Sequence, residues 1–161
     1  MNLAELPWHE PGGAEAAERI GRFLVEAGFD VAVEPVTEGA FLPGLAIHRG
    51  RLVIDPEVKS WPGDLLHEAG HLAVLDPARR SEPGAVTSDG GDEMAAIAWS
   101  VAAARACDVP LDVLFHDHGY KGESTSLIEN FAAGQPFGVP LLVWWGLTTT
   151  EDFPAMHRWM R

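Results

Sequence analysis

The chain is short of cations, thiols and long apolar runs. Eleven Lys and Arg stand against 24 Asp and Glu, a formal charge of −13 over 161 residues. Such an excess repels phosphate backbones and anionic headgroups, so no nucleic acid and no membrane surface is expected as a partner. The one cysteine, Cys107, excludes an intramolecular disulfide and any cysteine-built zinc site, and it suits a reducing compartment. The longest apolar stretch, 136–147, is broken by Pro and Gly and falls short of the roughly 18 residues that a spanning helix needs. Residues 1–7 have neither the basic start nor the apolar run of a signal peptide, which predicts a cytoplasmic protein.

What is present belongs to an ordinary globular protein: 47% hydrophobic and 22% charged residues, in a length that predicts one domain over 1–161. Residues 1–11 carry Pro7, His9 and Pro11 with little periodicity and read as a surface strap or tail. From Ala14 to Ala27 apolar residues recur every three or four positions, predicting an amphipathic helix closed by Gly28. Val31, Val33 and Val36, interrupted by Pro35, suit an edge strand. Leu45–His48 and Leu52–Asp55 flank Arg49-Gly50-Arg51 as a β-hairpin. Ser60 or Asp64, with Pro62, offers start chemistry for a helix running through 65–75. A polar loop over 76–91 separates it from an Ala-rich helix over 92–106, with Asp92 at its N-cap. Beyond Pro110, one turn at 111–115 and a helix over 124–133 ending at Gly134 are expected, while 141–145 is too short to assign. The six tryptophans, among them Trp61, Trp99, Trp144 and Trp145, read as core. A sharper reading makes 141–145 an exposed apolar patch.

His67-Glu68-Ala69-Gly70-His71 is the pattern H-E-x-x-H, which on a helix puts two imidazoles on one face with a carboxylate beside them. Neutral imidazoles are good zinc ligands, and the carboxylate can take a proton from water on the metal. Histidines satisfied by Glu68 or Asp76 are the plain structural alternative. A catalytic zinc needs a third protein ligand. The metzincin continuation would put Gly and His where Val74 and Pro77 stand, so that class is excluded.

The motif, followed by Glu93 in the next helix, resembles the small gluzincins, most of all the ImmA/IrrE-type zinc peptidase domains or minimal gluzincins. In those proteins a helix and a small sheet precede the active-site helix, and a second helix brings a glutamate, an order that 14–106 reproduces. The resemblance implies an α+β, zincin-like single domain, its small β-sheet or hairpin packed on the active-site helix and on a second, ligand-bearing helix. It implies one zinc per chain on His67, His71 and Glu93, Glu68 as general base and later proton donor, and a peptide or protein substrate. Glu93 shares a helical face with Ile97, Ser100, Val101 and Ala104, where a lone carboxylate would be costly without a partner. Asp92, Asp89, His116 and His118 remain competing ligands, and the donor set also suits iron, cobalt or manganese. The polar segment 116–120 holds the only tyrosine, and Tyr120 or His118 could steady an oxyanion; a solvated loop is the alternative. His9, His48 and His157 are given no role. After Glu93 the chain departs from the ImmA/IrrE pattern, with Met94–Trp99 in place of Ala-Asn-x-Phe-Ala, and its last 50 or so residues match nothing in that family. The other functional reading is a catalytically silent zinc-binding or interaction domain with regulatory use.

Overall fold

The computed structural model describes residues 2–86, 90–135 and 137–161. After a 3₁₀ turn at Leu3–Glu5, helix α1 (Gly13–Glu26) presents Ala16, Ala17, Ile20, Gly21 and Leu24 to the core, the stripe expected from the sequence. Four strands follow: β1 (Asp30–Val33), β2 (Ala40–Leu42), β3 (Leu45–His48) and β4 (Arg51–Ile54). They form one sheet in the order β1-β4-β3-β2, with β1 parallel to β4 and the other pairs antiparallel. Arg49 and Gly50 make the β3–β4 turn, both at positive φ (49° and 83°), the mirror-image turn whose twist fits a hairpin. With its six α-helices and this sheet among the described residues, the architecture is α+β.

Helix α2 (Pro62–Val74) carries the motif and is buried along its whole length. Trp61 is its N-cap, and Pro62 opens the first turn without an N–H to satisfy. Neither expected cap acts as one: the Ser60 hydroxyl donates to the Val58 carbonyl, and Asp64 is buried within the first turn of the helix. Helix α3 (Gly90–Ala106) begins two residues before the expected start, so Asp92 lies in its first turn instead of capping it. The α2 and α3 backbones come close because Gly70 faces Ala96. A Cβ on Gly70 would lie 2.6 Å from the Ala96 carbonyl oxygen.

Helices α4 (Leu111–Leu114), α5 (Ser124–Ala132) and α6 (Val139–Trp144) complete the fold. Helix α6 turns Val139 and Leu142 inward and leaves Trp144 83% exposed, so the core reading holds for Trp99 and fails for Trp144. The chain then returns across the body of the protein. Trp159 packs edge-on to Phe23 and Trp99, and its carbonyl accepts the Trp99 indole N–H. Arg161 closes the end of α2, its main-chain N–H donating to Ala73 O and its guanidinium to Val74 O, where donors and positive charge suit a helix C-terminus.

The N-terminal strap is more than a surface ribbon. Leu3 and Trp8 are buried, Leu3 resting on α1 where Gly21 has no side chain, and the His9 N–H donates to the Ser60 carbonyl just before α2. Among the described residues, no helix is long and apolar enough to cross a membrane.

Candidate metal centre

Helical spacing places His67 and His71 one turn apart on α2, with ring centroids 4.8 Å apart and nearly perpendicular planes. The close α2–α3 approach brings Glu93, in the first turn of α3, against both rings. Glu93 Oε2 lies 2.7 Å from His71 Nε2 and Oε1 lies 3.2 Å from His67 Nε2. The ligand atoms of His67, His71 and Glu93 all fall within 4.8 Å of one another, and this group could hold a metal ion. A tetrahedral zinc would set its ligands about 3.3 Å apart, so modest side-chain adjustment makes room for one. The histidines are buried while the Glu93 side chain is 40% exposed, so the centre opens beside α3.

Charge within the cluster is strongly coupled. Burial works against the Glu93 carboxylate, but the hydrogen bonds and charges of His67 and His71 overcome it and hold the carboxyl well below the usual carboxylate range. Burial likewise opposes a charged His71, and Glu93 reverses the balance, so the imidazole sits above its ordinary value. Glu68 and Asp92 add to that field. As hydrogen bonds, these contacts need a proton on each Nε2, and a metal on the same atoms would displace those protons.

Glu68 is buried beside the cluster. Desolvation pushes its carboxyl up, Asp64 and Glu93 reinforce the shift, and His67 and His71 oppose it. Among the described residues its Oε2 has no partner, nor do His67 Nδ1 and the buried Tyr120 hydroxyl. Each unpaired buried polar atom typically costs about 1–3 kcal/mol, and three gathered around one cluster fit a place built to receive a ligand. The Tyr120 ring lies edge-on to His67 at 5.2 Å. Burial, with Asp64, Glu93 and Glu68 nearby, drives its phenol well above the ordinary 10.0.

The remaining candidates sit elsewhere. His116 is buried with its Nε2 2.6 Å from Asp64 Oδ1 and takes no part in the metal-ligand group. His118 is exposed and stacks on Trp61 at 5.3 Å. Asp92 stands next to Glu93 outside the group, and Asp89 lies outside the described residues. Sequence reasoning missed the roles of Asp64 and Trp61. A signal for Asp64 existed in its position three and four residues before His67 and Glu68, on the same helical stripe. Comparison with protein families, with curated proteins and with solved structures found no match to this chain.

Proposed function

We propose that the domain is a zinc-dependent metallopeptidase of the gluzincin type. The observation that carries this reading is the convergence of two helix-borne imidazoles and Glu93 on one point, with Glu68 buried beside them. His67, His71 and Glu93 would hold the ion. Zinc bound there supplies a Lewis acid for the peptide carbonyl and lowers the pKa of a coordinated water to about 7. Glu68 accepts the proton of the attacking water and returns it to the amine nitrogen as the C–N bond breaks. Its raised pKa keeps it a better base than an ordinary surface carboxylate. The Tyr120 hydroxyl, without an acceptor among the described residues, donates to the carbonyl oxygen as charge develops on it. Tyr120 suits that task better than His118 because its ring lies against His67. The formal charge of −13 favours cationic over acidic peptides.

Metal content per chain, measured by mass spectrometry alongside hydrolysis of a peptide library, tests the reading. Glu68→Gln should keep its zinc and lose about 10²–10⁴-fold in rate, the usual weight of general base catalysis. His71→Ala should lose both metal and hydrolysis. Hydrolysis retained by Glu68→Gln would overturn the mechanism. A zinc-loaded wild type that cleaves no peptide in the library would turn the reading to a silent zinc-binding domain.

A further inference from the structure

Asp64 and His116 lie 52 positions apart in the chain and meet in the core at 2.6 Å. The His116 tautomer follows from its neighbours. Nδ1 accepts the main-chain N–H of His118 at 3.2 Å and so carries no proton, which leaves Nε2–H to donate to Asp64. The His116 carbonyl accepts the Ser124 hydroxyl at 2.6 Å. Both ring nitrogens and the main-chain oxygen are thus engaged, and no lone pair is left for a metal. Trp61, at the N-cap of α2, stacks on the His116 ring at 4.8 Å with planes only 6° apart. Gly119 lets the segment fold back over that ring, since a Cβ there would lie 3.2 Å from His116 Cε1.

The same short segment carries Tyr120, wedged between Phe115 at 5.0 Å and His67 at 5.2 Å. Tyr120 adopts φ 55°, a left-handed conformation that a bulky residue takes only when its surroundings enforce it. Its hydroxyl is buried without a partner among the described residues. His116 lies outside the His67–His71–Glu93 group, and the N–H groups of His118 and Gly119 and the Ser124 hydroxyl all end on it, whereas Tyr120 takes the Glu123 N–H on its carbonyl.

We propose that the Asp64–His116 pair is a positioning latch, fixing segment 115–124 to the first turn of α2 so that the Tyr120 hydroxyl is held beside His67, His71 and Glu93. His116 and Asp64 are positioning residues that act through Tyr120 and touch neither metal nor substrate. The role of Tyr120 in turnover rests on the peptidase reading; the placement of its hydroxyl does not.

Because Tyr120 is the only tyrosine, protein grown with 3-fluorotyrosine gives one fluorine resonance that reports on this residue alone. In the wild type that resonance should lie away from the free amino acid and move when zinc is added. In His116→Ala it should collapse toward the free position and ignore zinc, although one zinc per chain still binds. His116→Gln, which keeps a donor near the Nε2 position, should restore much of the wild-type shift. Turnover in His116→Ala should fall about a hundredfold through kcat, the scale of a misplacement near 1 Å, with KM little changed. A fluorine resonance unaltered by His116→Ala would overturn the latch. If that variant loses its helical circular dichroism, Asp64→Asn decides: it keeps an acceptor without the charge, so an intermediate shift supports the latch and an unmoved resonance overturns it. A wild type that binds no zinc or cleaves no peptide defeats the peptidase reading, while the fluorine comparison without zinc still decides the latch.

Discussion

The two ends of the motif-bearing stripe on α2 use the same chemistry to opposite effect. At its start, His116 meets Asp64 at 2.6 Å; two turns further on, His71 meets Glu93 at 2.7 Å. The distances are nearly equal, yet the first contact is closed and the second is open. His116 has both ring nitrogens engaged, and both its side chain and that of Asp64 are almost wholly buried. Around His71 and Glu93, His67 Nδ1, Glu68 Oε2 and the Tyr120 hydroxyl lack partners among the described residues, and Glu93 reaches solvent. A histidine–carboxylate distance therefore says little by itself. The indole N–H of Trp61, whose ring stacks on His116, also lacks an acceptor among the described residues, but it is no metal donor; what separates a tie that holds the fold from a cluster ready for a ligand is whether the potential ligand atoms themselves are satisfied.

The largest way to break the contrast is to push α3 off α2. Gly70→Ala drives a methyl group into the Ala96 carbonyl, a backbone atom that cannot swing aside, and should cost about 3 kcal/mol of stability. Zinc affinity should weaken with it, because Glu93 rides on the displaced helix, while the Asp64–His116 contact nearly two turns earlier survives. Gly90→Ala is the control: a Cβ there meets nothing within 4 Å, so stability should change by less than about 0.5 kcal/mol. Denaturant melts and zinc titration of the two variants check both statements. Equal effects would mean that the Gly70–Ala96 contact does not set the geometry of the centre.

Much of this was legible in sequence because it depends on short-range periodicity. The i, i+4 spacing of His67 and His71 fixes their common face wherever α2 runs, and Gly50 marks the hairpin through the positive φ it adopts. The position of Glu93 on the core side of an Ala-rich helix was readable for the same reason. For Asp64 the spacing to His67 and Glu68 gave only the shared stripe; next to Pro62 it read as a helix cap, and only the distant His116 makes it a buried acceptor. Strand β2 escaped notice because three residues between Gly39 and Pro43 carry too little pattern. The anchoring of Leu3 depends on the missing side chain of Gly21, and a contact made through an absence leaves no periodic trace. Trp144 shows the converse, a large apolar residue that composition assigns to the core and that the inward turn of Leu142 leaves outside.

A smaller effect sharpens the open side of the comparison. Burial raises the Glu68 carboxyl in the folded chain above its unfolded value, so the folded state holds the proton more tightly. Between the unfolded and folded values, stability must then fall as pH rises, and above both the full penalty of a buried charge persists. Glu68→Gln removes that charge. In chelated protein it should raise the melting midpoint by a few degrees at neutral pH, and the gain should vanish near pH 4, where the wild-type carboxyl is itself protonated. A gain independent of pH would assign the stabilisation to packing instead of charge.

The smallest effect comes from a third pair with the same geometry. His157 Nε2 lies 2.7 Å from Asp152 Oδ2, but half of each side chain is exposed. Hydrogen bonds from His157 and then Thr149 hold the Asp152 carboxyl below its ordinary value, so any stabilisation it gives is present above the unfolded carboxyl pKa and is lost as pH falls through the folded one. Solvent and salt screen such a pair, and its partners regain water when it breaks. His157→Ala should leave the melting midpoint unchanged at neutral pH, in low salt and in high, whereas His116→Ala should lower it clearly in both. If the two variants instead fell by similar amounts, contact distance and not burial would govern these pairs, and the distinction between the closed and open ends of α2 would lose its physical basis.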